Sequence, residues 1–465
     1  MSARLTQAVI IAAGKGTRTG GSRAKVLLPV LGVPLLEHVL RALKSVAAEP
    51  TVVVVGHQAE TVESAFAGRG LTFVLQEPQL GTGHAVQAAR TILERQPERT
   101  ALVVNGDQPL LREQTLARVL ERHREAGTAA TLLSAILPGN PAYGRVIRDG
   151  RGRVQRIVEA RDASPQELKE AEVNAGVYAF EVAPLLDALS KLTANNAQRE
   201  FYLTDVIGLL SSAGQPVEAV TAEDASEALG VNTLAEVADA SRRLRERRLL
   251  ELMAGGVLVE DPASTTVGLD VRVEAEATLR AFTFLEGRTV VQAGAVIGPF
   301  ARLEDTEVGP GAQILDHCLL RKCVVEAGAM VGPFTHIRPE SRIGAGAKVG
   351  NFVELKKTHL GDGSKAPHLS YLGDATIGPK VNIGAGTITC NYDGTAKHQT
   401  RIEAGAFVGS DATLVAPVTV GEGAYVAAGS VITEDVPAQA LALGRARQVV
   451  KPGWNRKRRG AGEGR

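Results

Sequence analysis

Cysteine is scarce in this 465-residue chain, which has only Cys318, Cys323 and Cys390. They form neither a CxxC pair nor a Cys/His metal-ligand spacing, so a disulfide framework is excluded and a reducing compartment is expected. An excess of charge of either sign is also missing. Lysine and arginine number 52 against 51 acidic residues, a formal net charge of +1, so the chain as a whole offers a polyanion no electrostatic footing. The apolar run near the start, in MSARLTQAVIIAAG, meets glycine after a few residues. That is too short for a signal peptide's apolar region or a membrane span. A cytoplasmic protein with no membrane and no nucleic-acid partner is expected. A hydrophobic fraction of 44% with 22% charged residues belongs to a globular chain, and the length calls for two or three domains.

Glycine is abundant instead, at 50 residues, and much of it accompanies a six-residue repeat. Val273, Leu279, Leu285, Val291, Ile297 and Leu303 stand six apart. So do Val325, Val331, Ile337, Ile343, Val349 and Leu355, and then Ile402, Val408, Leu414, Val420, Val426 and Ile432. Turn-forming pairs follow many of them, as in Val291-Gln292-Ala293-Gly294-Ala295. A period of six suits neither a helix nor a long strand. It suits a solenoid, in which each short strand supplies one inward aliphatic before the chain turns a corner. A linker would not hold branched aliphatics in register through six successive repeats.

The N-terminal half reads as strand and helix in alternation. Gln7 to Ala13, Thr51 to Gly56, Phe73 to Gln76 and Ala101 to Asp107 are buried, parallel-type strands. Helical spacing follows in 35–46, with Leu36, Val39, Leu40 and Leu43 on one side, and again in 83–93 and 113–124. This pattern predicts a doubly wound, largely parallel Rossmann-like sheet with ligands at the carboxyl ends of its strands. Val237 to Met253 is a connecting helix whose arginines are broken up by Glu246 and Glu251 and read as a solvated face. The expected organisation is an α/β domain at 1–233, a connecting helix at 234–254, a β-solenoid at 255–450 and a basic, disordered tail at 451–465, from which Trp454 could dock back.

Chemistry-bearing residues fall at the strand ends. Gly14-Lys15-Gly16-Thr17-Arg18 follows the first strand, and such a turn lets backbone N–H groups approach phosphate oxygens while Arg18 and Lys25 add charge. It is neither a Walker A loop nor the dinucleotide fingerprint. Leu80-Gly81-Thr82-Gly83-His84 is a second tight turn. Asp107, in Asn105-Gly106-Asp107, suits a Mg²⁺ ligand beside phosphates; because Pro109 follows, a helix-start cap is the other reading.

The stretch Ile11-Ala12-Ala13-Gly14-Lys15-Gly16-Thr17-Arg18, then Lys25, Gln76 and Leu80 to His84, resembles the sugar-nucleotide pyrophosphorylases. With the solenoid behind it, the chain from about 7 to 454 resembles the bacterial bifunctional GlmU family. That family joins N-acetylglucosamine-1-phosphate uridyltransferase to glucosamine-1-phosphate acetyltransferase. The resemblance implies that Ile11, Ala12, Ala13, Gly14, Arg18 and Lys25 hold UTP, with Arg18 and Lys25 acting in catalysis. It makes Gln76 and Gly81 the uracil readers, with Thr82 close by, and Asp107 and Asn232 the Mg²⁺ ligands. Gly144, Glu159 and Asn174 become sugar contacts. Ala24 and Asn105 stand where the family usually carries a proline and an aromatic.

In the solenoid, the register is expected to be interrupted from Lys356 to Asp374, and an insertion follows at Asn391-Tyr392-Asp393-Gly394. A histidine suits proton removal from an amine attacking a thioester, and Arg338 and Lys356 suit a phosphate dianion. The resemblance assigns His368 as general base with Glu354 as its orienting partner. It assigns Arg338, Lys356, Tyr371 and Asn382 to the sugar phosphate, and Ala385, Asn391, Tyr392, Ser410, Ala428 and Arg445 to acetyl-CoA. It also implies a left-handed parallel β-helix, an exception to the usual crossover hand, and a homotrimer with acetyltransferase sites between chains.

Three readings follow: a two-site enzyme that makes UDP-N-acetylglucosamine for envelope polymers, a single-activity nucleotidyltransferase whose solenoid only assembles, or a non-catalytic binding protein that keeps the fold. Asp107, Asn232, Arg18 and Lys25 argue against the last. His368, Lys356 and the Asn391-Tyr392 insertion argue against the second.

Overall fold

The computed structural model describes residues 5–14, 16, 23–137 and 142–455. Arg18, assigned above to the phosphate loop, and most of the basic tail lie outside the described residues. The chain divides into two compact units, Met1–Leu244 and Arg245–Arg465.

The first unit is built on a mixed sheet. Its strands are β1 (Thr6–Ile11), β2 (Pro29–Val30), β3 (Val33–Pro34), β4 (Thr51–Val55), β5 (Thr72–Leu75), β6 (Thr100–Asn105), β7 (Ala130–Ile136), β8 (Arg145–Arg148), β9 (Val154–Val158), β10 (Glu172–Glu181) and β11 (Val217–Thr221). The order is β11-β7-β10-β6-β1-β4-β5, with the β8–β9 hairpin attached to β10 and β2–β3 forming a separate pair. Strand β1 runs parallel to β4 and β6, while β10 is antiparallel to β6 and β7. The continuous apolar runs in the sequence have a direct cause: both faces of the sheet are covered. Val9, Val52 and Val103 pack on one face with Val86, Leu185, Val206 and Ile207. Ile10, Val53 and Val104 pack on the other with Leu36, Val39, Leu116 and Leu120. The helix expected at 83–93 divides at Ala89 into Thr82–Ala88 and Arg90–Leu93.

A helix from Leu234 to Ala254 crosses the boundary between the units. Thr233 and Glu236 open it with a reciprocal capping box: the Thr233 N–H donates to Glu236 Oε2 (2.8 Å) and the Glu236 N–H to Thr233 Oγ1 (3.2 Å). Ala240 and Leu244 bury with Val30, Leu35, Leu110 and Val231, whereas Leu249 and Leu252 belong to the core of the second unit.

That unit is a parallel β-helix of the left-handed, hexapeptide-repeat class. Its strands form three stacks of 11, 10 and 9, each strand pairing with its equivalent in the next coil. Leu279, Leu285 and Val291 pair with Ile297, Leu303 and Val308, so each face contributes one aliphatic that sits on the one below. All six are fully buried. A coil takes 17 or 18 residues: Thr278 pairs with Val296, and Val296 with Gln313.

The expected interruption at 356–374 is not present. Leu360, Ala366, Leu372, Ile377 and Ile383 continue the inward column and are at most 1% exposed. The hexad pattern is lost there because some corners take five residues, as from Leu355 to Leu360 and Leu372 to Ile377, and because an alanine fills one inward place. The true excursion is 391–399, which lengthens the step from the strand Asn382–Ile383 to its partner Phe407–Val408.

Coil stacking also dictates where side chains cannot be. A Cβ added at Gly350 would lie 1.8 Å from the Pro367 carbonyl oxygen of the next coil. Gly350→Ala must therefore push that backbone aside and is expected to cost about 1–3 kcal/mol. Calorimetric unfolding of the variant checks this, and an unchanged transition would contradict so close an approach.

Candidate active sites

The carboxyl ends of β1 and β6 open into a cavity of about 350 Å³. Ile11, Ala12 and Gly14 line it from the end of β1, Asn105 and Asp107 from the end of β6, and Lys25 and Thr82 from neighbouring segments. Gly144, Glu159 and Asn174 enter from the β8–β10 region, and Asn232 from the turn before the boundary helix. Ala13 is buried in the sheet core instead. Gln76 and Gly81 are absent from the lining; Gln76 Nε2 donates to the Gly81 carbonyl (2.9 Å) and lies 3.1 Å from His84 Nδ1.

Asp107 is not a helix cap, since the helix after it begins at Glu113. Its Oδ2 accepts from Lys25 Nζ in a short contact, and the same nitrogen donates to Asn232 Oδ1 at 3.0 Å. Asp107, 82 positions after Lys25, and Asn232, 125 positions after Asp107, thus meet at the Lys25 ammonium. Backbone pairing holds the arrangement: the Val231 N–H donates to the Asp107 carbonyl at 3.0 Å, and Glu236 of the capping box accepts the Asn232 N–H at 2.5 Å. A carboxylate and an amide oxygen that already share a cationic partner fit a hard divalent ion, which takes a few protein oxygens and completes its shell with phosphates and water. Among the described residues no group of three or more His, Cys, Asp or Glu could hold a metal, so substrate oxygens would have to supply the remaining ligands. Ala24 enters the turn Lys25–Leu27 with φ −54°, a value proline also takes.

Asn174 and Gly144, assigned above to the sugar by resemblance, are held by a local irregularity. A shift in the β7–β10 pairing between Asn174 and Tyr178 turns Asn174 back on itself. Its Nδ2 donates to Tyr178 Oη (2.7 Å), and its Oδ1 accepts the Gly176 N–H (3.1 Å). The Asn174 N–H donates to the Gly144 carbonyl (2.8 Å). Glu159 Oε1 accepts from Thr204 Oγ1 at 3.0 Å. Burial pushes the Glu159 carboxyl above the usual range, opposed by the Thr204 hydrogen bond and assisted by Asp205 and Asp162.

In the β-helix, residues one coil apart form outward columns. His368 pairs with Asn351, and its Nδ1 lies 3.3 Å from Asn351 Oδ1. With the proton on Nδ1, Nε2 keeps its lone pair. Glu354 is placed on Arg338 instead of on His368, with Arg338 Nη1 donating at 2.9 Å. Lys356 Nζ donates to Asp374 Oδ2 (3.3 Å), and the Tyr371 ring and the Asn391 amide close over Gly373. Asn382 is half-buried on the first stack. Ala385, Ser410, Ala428 and Arg445 follow one another at intervals of 25, 18 and 17 residues. These are successive coils, the first lengthened by the excursion at 391–399. The Asp411 N–H donates to the Ala385 carbonyl (2.7 Å), and Arg445 Nη1 to the Ala428 carbonyl (2.6 Å). Tyr392 is exposed and bonds through Oη to the Gly394 carbonyl (2.6 Å). Asp393 pins the rest of the excursion by accepting from the Thr395 and Ala396 N–H groups (both 2.7 Å) and facing His398 Nε2 at 2.6 Å.

The three cysteines are unpaired. Burial raises Cys318 to about 11 and Cys323 to about 12, which keeps both protonated and inert. Asn351 and Asp374, which contact His368 and Lys356, were not found from sequence. The usable signal is the coil period: Asn351 stands 17 residues before His368, and Asp374 stands 18 after Lys356.

Comparison with known proteins defines the class first. Residues 8–201 match the MobA-like NTP transferase domain, and 322–357 and 399–434 match the bacterial transferase hexapeptide family of six repeats. The chain is thus a nucleotidyltransferase domain followed by a hexapeptide-repeat transferase domain. It is 46% identical to the bifunctional protein GlmU of Brevibacillus brevis over 444 residues, 96% of either chain. It is 44% identical to the GlmU protein of Geobacillus thermodenitrificans, over 97% of this chain and 98% of that one. The Carboxydothermus hydrogenoformans protein is also 44% identical, over 96% and 99%. The chain belongs to the bifunctional GlmU family.

Glu159 allows a test by linkage. A carboxyl whose folded pKa lies above its unfolded value binds its proton more tightly in the folded state. It therefore destabilises the fold as pH rises through that window, and the loss is recovered on acidification. Glu159→Gln is expected to raise the melting temperature at neutral pH and to change it little near pH 4, about the ordinary glutamate value. Equal shifts at both pH values would contradict the raised pKa.

Proposed function

We propose that the chain acetylates glucosamine-1-phosphate with acetyl-CoA and then transfers UMP from UTP to N-acetylglucosamine-1-phosphate, releasing pyrophosphate. The observation that carries the reading is the convergence of Asp107 and Asn232 on one cation in a cavity at the strand ends, in a chain whose β-helix carries a second, unrelated polar constellation. Two chemistries need two sites of different kinds, and each unit has one.

In the first unit Asp107 and Asn232 would hold a divalent ion, Mg²⁺. When bound, it neutralises phosphate charge as the new bond forms. Everything else falls to the chain. Transfer at phosphorus needs little covalent help, so positioning and charge dominate. Lys25 and Arg18 bind the triphosphate, with the backbone at Ile11 to Gly14 cradling it. Gln76, Gly81 and Thr82 read the uracil, and Gly144, Glu159 and Asn174 orient the sugar so that its phosphate oxygen faces the α-phosphorus.

In the β-helix the sugar phosphate is held by Arg338, Lys356, Tyr371 and Asn382. Asn391, Tyr392, Ser410, Ala428, Arg445 and the Ala385 segment hold acetyl-CoA. His368 Nε2 takes the proton from the sugar amine as its nitrogen attacks the thioester carbonyl, and thiolate leaves. Glu354 acts on this site through Arg338. The molecule is a cytoplasmic homotrimer in which neighbouring chains complete each acetyltransferase site, a reading supported by the exposure of Tyr392, Ser410 and Ala428 in a single chain and by the unpaired cysteines. No helix among the described residues is long and apolar enough to cross a membrane.

The direct experiment supplies glucosamine-1-phosphate, acetyl-CoA, UTP and Mg²⁺ and follows free CoA and pyrophosphate separately. Asp107→Ala is expected to lower uridylyl transfer by roughly a hundred-fold or more, the equivalent of several kcal/mol of lost charge stabilisation, and to spare acetylation. His368→Ala is expected to lower acetylation by about 10²–10⁴-fold and to spare uridylyl transfer. Loss of both activities in either folded variant would refute two separate sites. A fragment ending at Met253 is expected to keep uridylyl transfer and to sediment as a smaller species. A trimeric fragment would remove the β-helix from assembly.

A further inference from the structure

Asp374 sits at a corner of the β-helix in the left-handed region, with φ +50°. Most of its side chain is covered, at 13% exposure. One of its oxygens, Oδ2, has two partners. Lys356 Nζ donates to it at 3.3 Å, and Asn391 Nδ2 donates to it in a short contact. Lys356 comes from the coil before and Asn391 from the coil after, 18 and 17 residues away.

Backbone pairing makes the bridge rigid. The Asp374 N–H donates to the Lys356 carbonyl (2.9 Å), and the Asp374 carbonyl accepts from the Thr400 N–H (3.2 Å). The preceding residue, Gly373, is pinned through its N–H to Thr389 Oγ1 at 2.7 Å. A Cβ on Gly373 would lie 2.5 Å from Tyr371 Oη and 2.8 Å from Asn391 Nδ2, so only glycine lets those two side chains close over this point.

We infer that Asp374 is a positioning residue that holds the sugar-phosphate lysine and the acyl-donor asparagine on a single carboxylate oxygen, so that the two acetyltransferase subsites are set together. The inference rests on the acetyltransferase reading above. A long lysine in solution samples many rotamers, and a compact amide can present either end. Tying both to one buried acceptor fixes the ammonium for phosphate and commits the Asn391 amide N–H groups inward, leaving its carbonyl oxygen free. Asp374 touches neither substrate in this scheme and takes no proton.

The test uses the full chain. Asp374→Gly removes the carboxylate without straining the left-handed backbone. It is expected to raise KM for both glucosamine-1-phosphate and acetyl-CoA by about ten-fold, as for one lost charge-assisted hydrogen bond each. Asp374→Asn tolerates the same backbone and restores a neutral acceptor for Asn391. It is expected to return KM for acetyl-CoA to near the wild-type value and to leave that for the sugar phosphate raised. Uridylyl transfer and the melting curve serve as checks on folding. If the folded glycine variant moves one KM or neither, the shared role is overturned. Should the glycine variant not fold, a wild-type KM for the sugar phosphate in the asparagine variant overturns it equally. If the wild-type protein releases no CoA from acetyl-CoA with glucosamine-1-phosphate, the acetyltransferase reading fails and this inference fails with it. Normal wild-type turnover with unchanged KM values in the variants sinks the inference alone.

Discussion

The stacking of one coil on the next, each pairing through parallel backbone hydrogen bonds, is the constraint on which the second unit depends. Because a residue lies over its equivalent 17 or 18 positions away, the chain writes columns. The inward column is apolar, running through Leu285, Leu303, Leu320, Ile337, Leu355 and Leu372, all fully buried. Outward columns are whatever function and solubility require. Phe282, Phe300, His317, Phe334 and Phe352 stack ring on ring with centroids 4.7–5.4 Å apart. Arg302 pairs with Glu286, Arg321 with Glu304 and Arg338 with Glu354, each across one coil. Such exposed pairs contribute little individually. Their value is that the same geometry, applied where the side chains are less exposed, becomes a site.

Columns explain how a repetitive core can carry a specific chemistry. His368 and Asn351, or Lys356 and Asp374, need no loop to bring them together, because the register that buries leucine also delivers them. Precision comes from backbone pairing on both sides of each residue, which is why rigid strands can hold polar side chains in fixed relation. The excursion at 391–399 adds the one element the repeat cannot supply, a turn anchored by Asp393 that projects Tyr392.

The first unit solves the same problem with different physics. Strands β1 and β6 are buried on both faces and apolar from Ala8 to Ile11 and from Ala101 to Val104, so polar side chains collect where they stop. Lys25, Asp107 and Asn232 arrive from three distant segments, and a capping box and a backbone hydrogen bond hold the last of them. Glu159 shows the cost of such a site. Its carboxyl lines the cavity and is desolvated there, which raises its pKa.

By itself the sequence determined the two architectures. Continuous apolar runs alternating with helical stretches suit strands covered on both faces, and an aliphatic every sixth residue suits a solenoid of short strands. Both are local patterns, readable without knowing what packs on what. Corners that take five residues in place of six erased the pattern at 356–374, although the coil continues there without a break. Partnership was beyond reach altogether. Glu354 bonds Arg338 and not His368; Asn351 faces His368; Asp374 joins Lys356 to Asn391. Each of these pairs is set by which residues lie above one another in successive coils, and that depends on the summed lengths of all the corners between them. Tertiary structure decided it, because only the stacked backbone adds up those lengths.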